Sequence, residues 1–294
     1  MLITPKRWSI PPKRLQGDEI MIGEQLVLDI GRDNLVYQHN SLVVASYDMG
    51  ALEQKLFLML VSTIKKDDVG VSRTTFRVKD IAETLGITSQ SLYRDLPKIC
   101  SELMKKVIEI KQDDGSWKMF AIISFAQYKS KEGKLILEIH KEAEPYLLKL
   151  QEMFTVYRLG NVLDLKSKYS IRLYQQSKRC LFKGGEIIEL KEFRKILRLD
   201  KKTYDRFDCI TSKVLKPAIE EINNKTDIDI SYETIKEGRK VCALKFNVKN
   251  KKTPPTRIVK RKDNIINPMK FNNFEAREYD WNSIENRLLG WDKE

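Results

Sequence analysis

Two short stretches of this chain combine basic and hydroxyl side chains, the first with an amide as well, and such groups are suited to contacting nucleic acid. Their positions place them at the beginning of two amphipathic helices, where exposed side chains could reach base edges and phosphates. The first stretch supplies Thr88, Ser89, Gln90, Ser91, Tyr93, Arg94 and Lys98. The second supplies Lys201, Lys202, Thr203, Tyr204, Arg206, Thr211 and Lys213.

Arg206 is the strongest candidate for a contact to a base, because a guanidinium can bind guanine through two parallel hydrogen bonds. Any one of these residues could equally well belong to a basic helix face that contacts only water and not DNA. The first stretch is less basic than the second. We therefore expect the first to contact phosphates or serve association more than it reads sequence.

The two stretches belong to a pattern that occurs twice. A short apolar helix, a polar break and a longer helix make up each copy, which is the order of a helix-turn-helix. The second copy begins 112 positions after the first, at Leu190 against Val78. A period of this length indicates a duplicated domain, since solenoid repeats run about 20–50 residues. The copies read Val78-Lys79-Asp80-Ile81 with Leu85 and Ile87, and Leu190-Lys191-Glu192-Phe193 with Leu197 and Leu199.

The elements around each copy predict a winged helix, and the fold class is α+β with two tandem winged-helix domains. In the first copy we predict a core helix carrying Leu56 and Leu60, followed by a strand, two helices separated by Gly86, and a hairpin. A further hairpin should extend the sheet and offer a domain or subunit contact. The predicted ranges are 75–78 for the strand, 79–85 and 89–106 for the helices, 107–110 with a return strand from 120 for the wing hairpin, and 126–139 for the further hairpin.

The second copy repeats this order. Gly184-Gly185 is predicted to turn the chain, and Pro217 to bend or break the second long helix, as Pro97 could in the first. A hairpin tip carrying Lys236, Arg239 and Lys240 has the charge that a wing needs to touch phosphates. The predicted ranges are 167–182, 191–197 and 203–223 for helices, and 186–190, 228–232 and 241–248 for strands.

The composition favours a polyanionic partner. The 294 residues carry 54 Lys and Arg against 41 Asp and Glu, a formal net charge of +13, and each neutralised phosphate releases a counterion. No apolar run is long enough to span a membrane and the start resembles no signal peptide, which predicts a cytoplasmic protein without a membrane partner. The four cysteines are widely spaced, which favours reduced thiols over zinc or disulfides.

The groups that catalysis would need do not occur together. No phosphate-binding glycine-rich motif precedes a lysine, which disfavours an ATPase. The two histidines, His39 and His140, stand alone, so the paired-histidine metal site of a tyrosine-dependent DNA nickase is not formed. The sequence therefore predicts no catalytic residue, no metal and no cofactor.

Composition also divides the chain. We predict an N-terminal extension (1–35), winged-helix domain 1 (36–158), winged-helix domain 2 (159–248), and a basic linker with an aromatic tail (249–294). The tail carries Phe271, Phe274, Trp281 and Trp291 after a proline-interrupted basic run. Such a segment either folds on a partner or packs back on its own chain, and the sequence favours neither.

Residues 36 to 248 resemble the tandem winged-helix plasmid replication initiators that bind iteron repeats. The resemblance rests on Asn40-Ser41-Leu42 before a long apolar helix, on Phe76 to Ile81 before the first helix pair, and on the second copy with Tyr169 to Tyr174. It implies a non-enzymatic initiator that binds direct repeats in double-stranded DNA as a monomer and recruits host replication proteins. It also implies dimers that bind an inverted repeat and repress their own gene.

By the same resemblance, domain 2 supplies the main sequence-specific contacts and domain 1 adds a second groove contact or the dimer interface, with the helix from Ser167 joining them. The tail is the candidate for contact with host proteins. Two other classes of protein fit the residues. One is a transcription regulator with two winged helices, and the other is a scaffold whose winged helices bind protein.

Overall fold

The computed structural model describes residues 30–64, 68, 70, 73–111, 115–148, 150, 153–200 and 202–251. The first domain contains β1 (Leu35–His39), α1 (Asn40–Val44), α2 (Ala51–Val61), β2 (Thr74–Arg77), α3 (Val78–Leu85), α4 (Ser89–Met104), β3 (Val107–Lys111), β4 (Trp117–Ala121), β5 (Ile123–Lys129) and β6 (Lys134–Ile139). A 3₁₀ turn (Lys141–Tyr146) follows.

The rest of the described chain repeats the series of core helix, short strand, helix-turn-helix and hairpin. Its elements are β7 (Phe154–Arg158), α5 (Leu159–Leu163), α6 (Lys168–Cys180), β8 (Gly185–Glu189), α7 (Leu190–Ile196), α8 (Phe207–Ile210), α9 (Lys216–Lys225), β9 (Ile228–Glu237) and β10 (Lys240–Asn250). The α+β fold with two tandem winged helices is therefore confirmed. The aromatic tail and most of the predicted N-terminal extension lie outside the described residues.

The first helix-turn-helix lies where the sequence predicts it. α3 buries Ile81 and ends at Gly86, whose φ of 66° lies in the left-handed region that favours glycine. The Thr88 hydroxyl then accepts a hydrogen bond of 3.3 Å from the backbone N–H of Ser91. Because this bond satisfies one unpaired donor at the first turn, it fixes where α4 begins.

Each long helix contains a proline, and only the second helix departs from regular α-helical hydrogen bonding near it. Pro97 lies on the exposed side of α4, which continues unbroken past it to Met104, so of the possible bend or break at Pro97 the break does not occur. Water can bind the carbonyl that Pro97 leaves free there. Pro217 instead follows a π-helical turn over Thr211–Leu215, between α8 and α9. The helix predicted to bend or break at Pro217 thus runs on without a gap but changes its hydrogen-bonding pattern just before the proline, which has no N–H for the regular helical bond.

The second long helix begins later than predicted. Instead of a helix over 203–223, Lys202–Tyr204 forms a 3₁₀ turn, and Arg206 has extended backbone angles of φ −88° and ψ 136° just before α8. The Tyr204 ring packs edge-on against Tyr169 of α6, with the two hydroxyl oxygens 3.0 Å apart. This contact between distant segments holds the turn, and helical periodicity in the sequence does not reveal it.

The sheets of the two domains have the same strand order. β2-β6-β5 and β8-β10-β9 are both antiparallel, and β3 and β4 form a separate two-stranded sheet. The sequence interpretation took β3–β4 as the wing and β5–β6 as an extension, which is wrong. β6 pairs with β2 just as β10 pairs with β8, so β5–β6 is the wing and β3–β4 is the insertion. The return strand β4 also begins at Trp117 rather than at the predicted Phe120.

The inserted hairpin makes the domain contact that was expected of the other hairpin. The Glu109 carboxylate on β3 lies 3.0 Å from the Lys195 Nζ of α7. Ser46, which forms an isolated bridge with Glu109, donates its hydroxyl to the Lys195 carbonyl at 3.0 Å. A charged pair and a hydrogen bond therefore tie the first domain to the second helix-turn-helix.

α6 packs against elements of both domains, as expected for the helix beginning near Ser167. It is polar for a buried helix, and several of its polar groups bond to the first domain. The Gln175 amide donates to the Tyr157 hydroxyl at 2.8 Å and to Gln38 at 3.1 Å, and the Gln176 amide donates to the Val43 carbonyl at 3.0 Å. Such bonds offset the cost of burying these amides.

The predicted turn at Gly184-Gly185 is confirmed. Gly184 has a φ of 72° and Gly185 a φ of 145°. A Cβ on Gly185 would overlap the carbonyl oxygen of Phe246 on β10. Only glycine therefore allows β8 to lie this close to β10.

Glu221 of α9 caps the beginning of α6. Its carboxylate accepts hydrogen bonds from the backbone N–H groups of Lys166 at 2.8 Å and Ser167 at 3.3 Å, and it lies 2.8 Å from the Lys225 Nζ. Partial burial raises the pKa of Glu221, but Lys225 and these backbone donors outweigh it and bring the pKa to about 2. The carboxylate is therefore more acidic in the folded chain than in the unfolded one.

We expect Glu221→Gln to lower the free energy of unfolding at pH 7 by about 1–2 kcal/mol, a value discounted for solvent screening. Because the folded pKa is depressed, this contribution is fully present above about pH 4.5 and is lost as the pH falls towards 2. Urea unfolding at several pH values should show the difference from wild type shrinking on acidification. The matched control is the exposed neighbour Glu220→Gln, and a deficit that stays constant with pH would contradict this role.

Candidate nucleic-acid interface

The candidate residues of the second domain occupy three consecutive local structures. Lys202 and Thr203 are exposed on the 3₁₀ turn, Arg206 is exposed at the N-cap of α8, and Lys213 is exposed on the π-helical turn. Thr211 is half-buried on the same π-helical turn. Lys201 lies outside the described residues.

Two contacts fix the turn that carries these residues. The Arg194 guanidinium of α7 donates to the Asp205 carbonyl at 2.8 Å, which links the two helices of the motif. Tyr204 is held by its hydrogen bond to Tyr169, and burial together with this bond raises the pKa of Tyr169. Tyr204 therefore positions the turn and is only half-exposed to an outside ligand.

The Arg206 side chain forms an ion pair with Asp208 in the first turn of α8. Its Nε lies 3.1 Å from Oδ1 and its Nη2 lies 2.7 Å from Oδ2 of the carboxylate. Both side chains are largely exposed, 81% for Arg206 and 61% for Asp208. The hydrogen bonds from Arg206 lower the pKa of Asp208, so the carboxylate is charged at neutral pH.

The wing of the second domain ends in three exposed cations. Gly238 turns the chain with a φ of 60°, and Lys236, Arg239 and Lys240 are exposed around it. None of these three cations forms an ion pair with another described residue. Unpaired cations on a projecting hairpin are suited to contacting backbone phosphates.

The cations on the wing of the first domain are paired, unlike those of the second. Its tip turns at Gly133, and Glu132 lies 2.8 Å from the Lys134 Nζ and 3.5 Å from the Lys129 Nζ. One carboxylate thus serves two of the lysines beside the tip. The tip of the second wing has the same formal charge, because Glu237 lies among its three cations, but none of those cations is paired with another described residue.

The first-domain candidates lie along the first three turns of α4. Ser89 and Ser91 are half-buried, whereas Gln90 and Lys98 are exposed. The Tyr93 ring lies 5.8 Å from the ring of Tyr128 on the wing strand β5, so it joins helix to wing. Arg94 is paired with Asp95, with Nε 2.9 Å from Oδ1 and Nη2 3.2 Å from Oδ2.

The sequence interpretation missed two charged residues of this region. Lys216 is exposed at the beginning of α9, directly after the π-helical turn that carries Lys213. Lys216 follows Lys213 by three residues, a spacing that places both on one face of a helix and could have identified it. Asp208 was also missed, because the sequence gives no sign that it binds the Arg206 side chain.

Other site types find little support in the described part of the chain. No group of three or more His, Cys, Asp or Glu residues among the described residues is arranged to hold a metal ion. Burial raises the pKa of Cys100 and of Cys180 to about 11, so both thiols are protonated at neutral pH. No described helix combines the length and the apolar character needed to cross a membrane.

Two family models match the chain. One, described as "Initiator Replication protein, WH1", matches residues 35–178, and the other, "Initiator Rep protein, WH2", matches residues 189–248. An Escherichia coli "Replication initiation protein" is 28% identical over 224 residues, covering 73% of this chain and 69% of that protein. A "Probable replication protein rep" of Bifidobacterium longum is 22% identical over 77% of this chain and 76% of its own.

A solved structure is similar over both domains. The crystal structure of Pi initiator protein in complex with iteron DNA matches with a TM-score of 0.64 and 25% sequence identity, covering 76% of this chain and all of that one. The order of the elements, the duplicated helix-turn-helix and both family matches agree. The chain belongs to the family of initiator replication proteins with tandem WH1 and WH2 winged-helix domains.

Proposed function

We propose that this chain binds directly repeated sites in double-stranded DNA at a plasmid origin and initiates plasmid replication there without enzymatic chemistry. The observation that carries the proposal is the pair of helix-turn-helix motifs, the second of which is followed by a wing whose tip carries three exposed cations that form no ion pair with another described residue. The family match and the similar protein crystallised with iteron DNA support it. A tandem winged-helix regulator without a replication role is less favoured.

In this proposal the two domains make different contacts with DNA. Lys202, Thr203, Arg206 and Lys213 of domain 2 approach the major groove, while the second wing contacts phosphates. Domain 1, in which two wing lysines and Arg94 are paired with carboxylates, adds phosphate contacts or self-association. The working boundaries are 36–158 for domain 1 and 159–248 for domain 2.

The remaining parts of the proposal concern regulation and partners. The protein acts in the cytoplasm, as a monomer on direct repeats and as a dimer on an inverted repeat that represses its own gene and so controls copy number. Residues 249–294 recruit host replication proteins. Their basic run followed by aromatic side chains supports this role.

The experiment that tests the proposal is a selection of bound duplexes from random DNA at about 150 mM salt, which suppresses non-specific phosphate binding. One long asymmetric motif spanning about two helical turns is expected if two tandem domains read one repeat. A palindrome alone would favour a dimeric regulator. Absence of any enriched sequence would overturn the proposal and favour a protein-binding scaffold.

On the selected duplex, Arg206→Ala is expected to weaken binding by about 1–3 kcal/mol, because it removes a bidentate contact to guanine. Its effect on random DNA should be much smaller. Titrations of both duplexes by fluorescence anisotropy measure the two values. An equal loss on both would reduce Arg206 to a phosphate contact.

A further inference from the structure

The guanidinium of Arg206 is not free in the DNA-free protein, and the way it is held leaves one particular edge open. Arginine has five N–H donors in a plane. The Asp208 carboxylate takes one hydrogen from Nε and one from Nη2. Three donors remain, and two of them, one hydrogen of Nη1 and the second hydrogen of Nη2, are parallel and form a fork at the far end of the group.

That fork has the geometry that guanine requires. Guanine presents the N7 and O6 acceptors side by side in the major groove, and arginine binds them with two parallel hydrogen bonds. Asp208 occupies the other edge, so it does not compete with such a contact. Because the pair fixes the plane of the guanidinium, less rotamer freedom is lost when a base is bound.

The same arrangement occurs on α4, the second helix of the first helix-turn-helix. Asp95 also accepts from Nε and Nη2 of its arginine, Arg94, and leaves the Nη1 edge open. The spacing differs, because Asp95 is the next residue after Arg94 whereas Asp208 is two residues after Arg206. The contact therefore does not follow from one repeated sequence motif, yet both helices have it.

We infer that Asp208 is a positioning residue that orients Arg206 for guanine and sets base specificity at that position of the DNA site. The inference rests on the proposed function, in which Arg206 reads a base. A second consequence follows from charge. Asp208 keeps a carboxylate beside the DNA and occupies two donors of Arg206, so it also weakens binding to DNA that offers only phosphates.

The test compares wild type with Asp208→Asn, Arg206→Ala and the double variant on three probes at about 150 mM salt. The probes are the selected duplex, the same duplex with each guanine replaced by adenine in turn, and random duplex. We expect Asp208→Asn to bind random DNA more tightly and to lower the preference for one guanine about tenfold. In the Arg206→Ala background, Asp208→Asn should no longer change that preference.

The matched control is Asp205→Asn, which removes the same charge one residue before Arg206. The exposed Asp205 carboxylate forms no ion pair with another described residue, so this variant should tighten binding to all probes alike and leave the guanine preference within about twofold. Thermal unfolding verifies that each exposed substitution leaves the fold intact.

The outcomes separate the inference from the proposed function. If wild type enriches no sequence, both fall together. If wild type selects a motif but Asp208→Asn keeps the full guanine preference, only the positioning role is overturned. A loss of preference that persists without Arg206 also overturns it, because Asp208 would then contact a base directly.

Discussion

Replacing Arg172 by methionine is expected to lower the free energy of unfolding by about 2–4 kcal/mol. Arg172 lies in α6 and is only 3% exposed. Its guanidinium donates to the Tyr47 hydroxyl, to the Ala45 carbonyl at 2.6 Å and to the Ile196 carbonyl at 3.5 Å. It also lies 4.0 Å from the centre of the Tyr47 ring. A single side chain thus links α6 to the segment before α2 and to the end of α7.

The expected loss of stability comes mainly from the groups that would be left behind. Methionine occupies similar space but donates nothing, so the buried Tyr47 hydroxyl and Ala45 carbonyl lose their partner. Each unsatisfied buried group costs about 1–3 kcal/mol. Removal of a buried positive charge offsets part of this cost. The expected loss of stability is therefore smaller than the full cost of leaving both groups unsatisfied.

Urea unfolding at neutral pH measures the effect. The control is Arg158→Met, which removes an exposed arginine 3.7 Å from Asp33 and should cost less than about 1 kcal/mol. Wild-type stability in Arg172→Met would mean that the cost of burying the charge equals everything its hydrogen bonds contribute.

Binding to the selected duplex is expected to weaken roughly a thousandfold or more between 50 and 200 mM salt, if about 6–10 phosphates are contacted. The three cations at the tip of the second wing should account for a measurable part of this salt dependence. Substituting Lys236, Arg239 and Lys240 together by alanine should reduce the slope of log affinity against log salt by about 3, because three phosphates are then no longer neutralised. Affinity should fall similarly on selected and random duplexes, because phosphates carry no sequence information.

The matched control lies on the same hairpin. Lys249 is exposed on β10 about 30 Å from the tip at 3.3 Å per residue, and Lys249→Ala should leave the slope unchanged. Anisotropy titrations at four or more salt concentrations give the slopes. A triple variant with the wild-type slope would show that the second wing does not touch DNA.

The arrangement of the wings shows where sequence patterns stop being informative. Alternation of apolar residues identified both hairpins of the first domain, but two hairpins of similar character compete for the edge of β2. Pairing of β6 with β2 decides that competition, since Phe76 lies opposite Leu135 and both are buried. The choice depends on contacts between residues far apart in the chain, which a local pattern does not record.

The candidate site shows the same limit at the level of single side chains. The sequence identified Arg206 as a candidate and placed it inside a helix. In the structure Arg206 is the N-cap residue of α8, because Tyr204 forms a hydrogen bond with Tyr169, more than thirty residues earlier. The partner of Arg206 likewise depends on side-chain rotamers that only the folded backbone selects.

Local sequence patterns were enough to identify the duplication, the two helix-turn-helix motifs, the turns at Gly86 and Gly184-Gly185, and the basic tip of the second wing. These features follow from helical periodicity, capping groups and backbone preferences that act within a few residues. The folded chain was needed to establish which hairpin is the first wing, where the second recognition helix begins, and how Arg172 and Arg206 are held. Each of these depends on the packing of distant segments, whose energies are not encoded in any single local pattern.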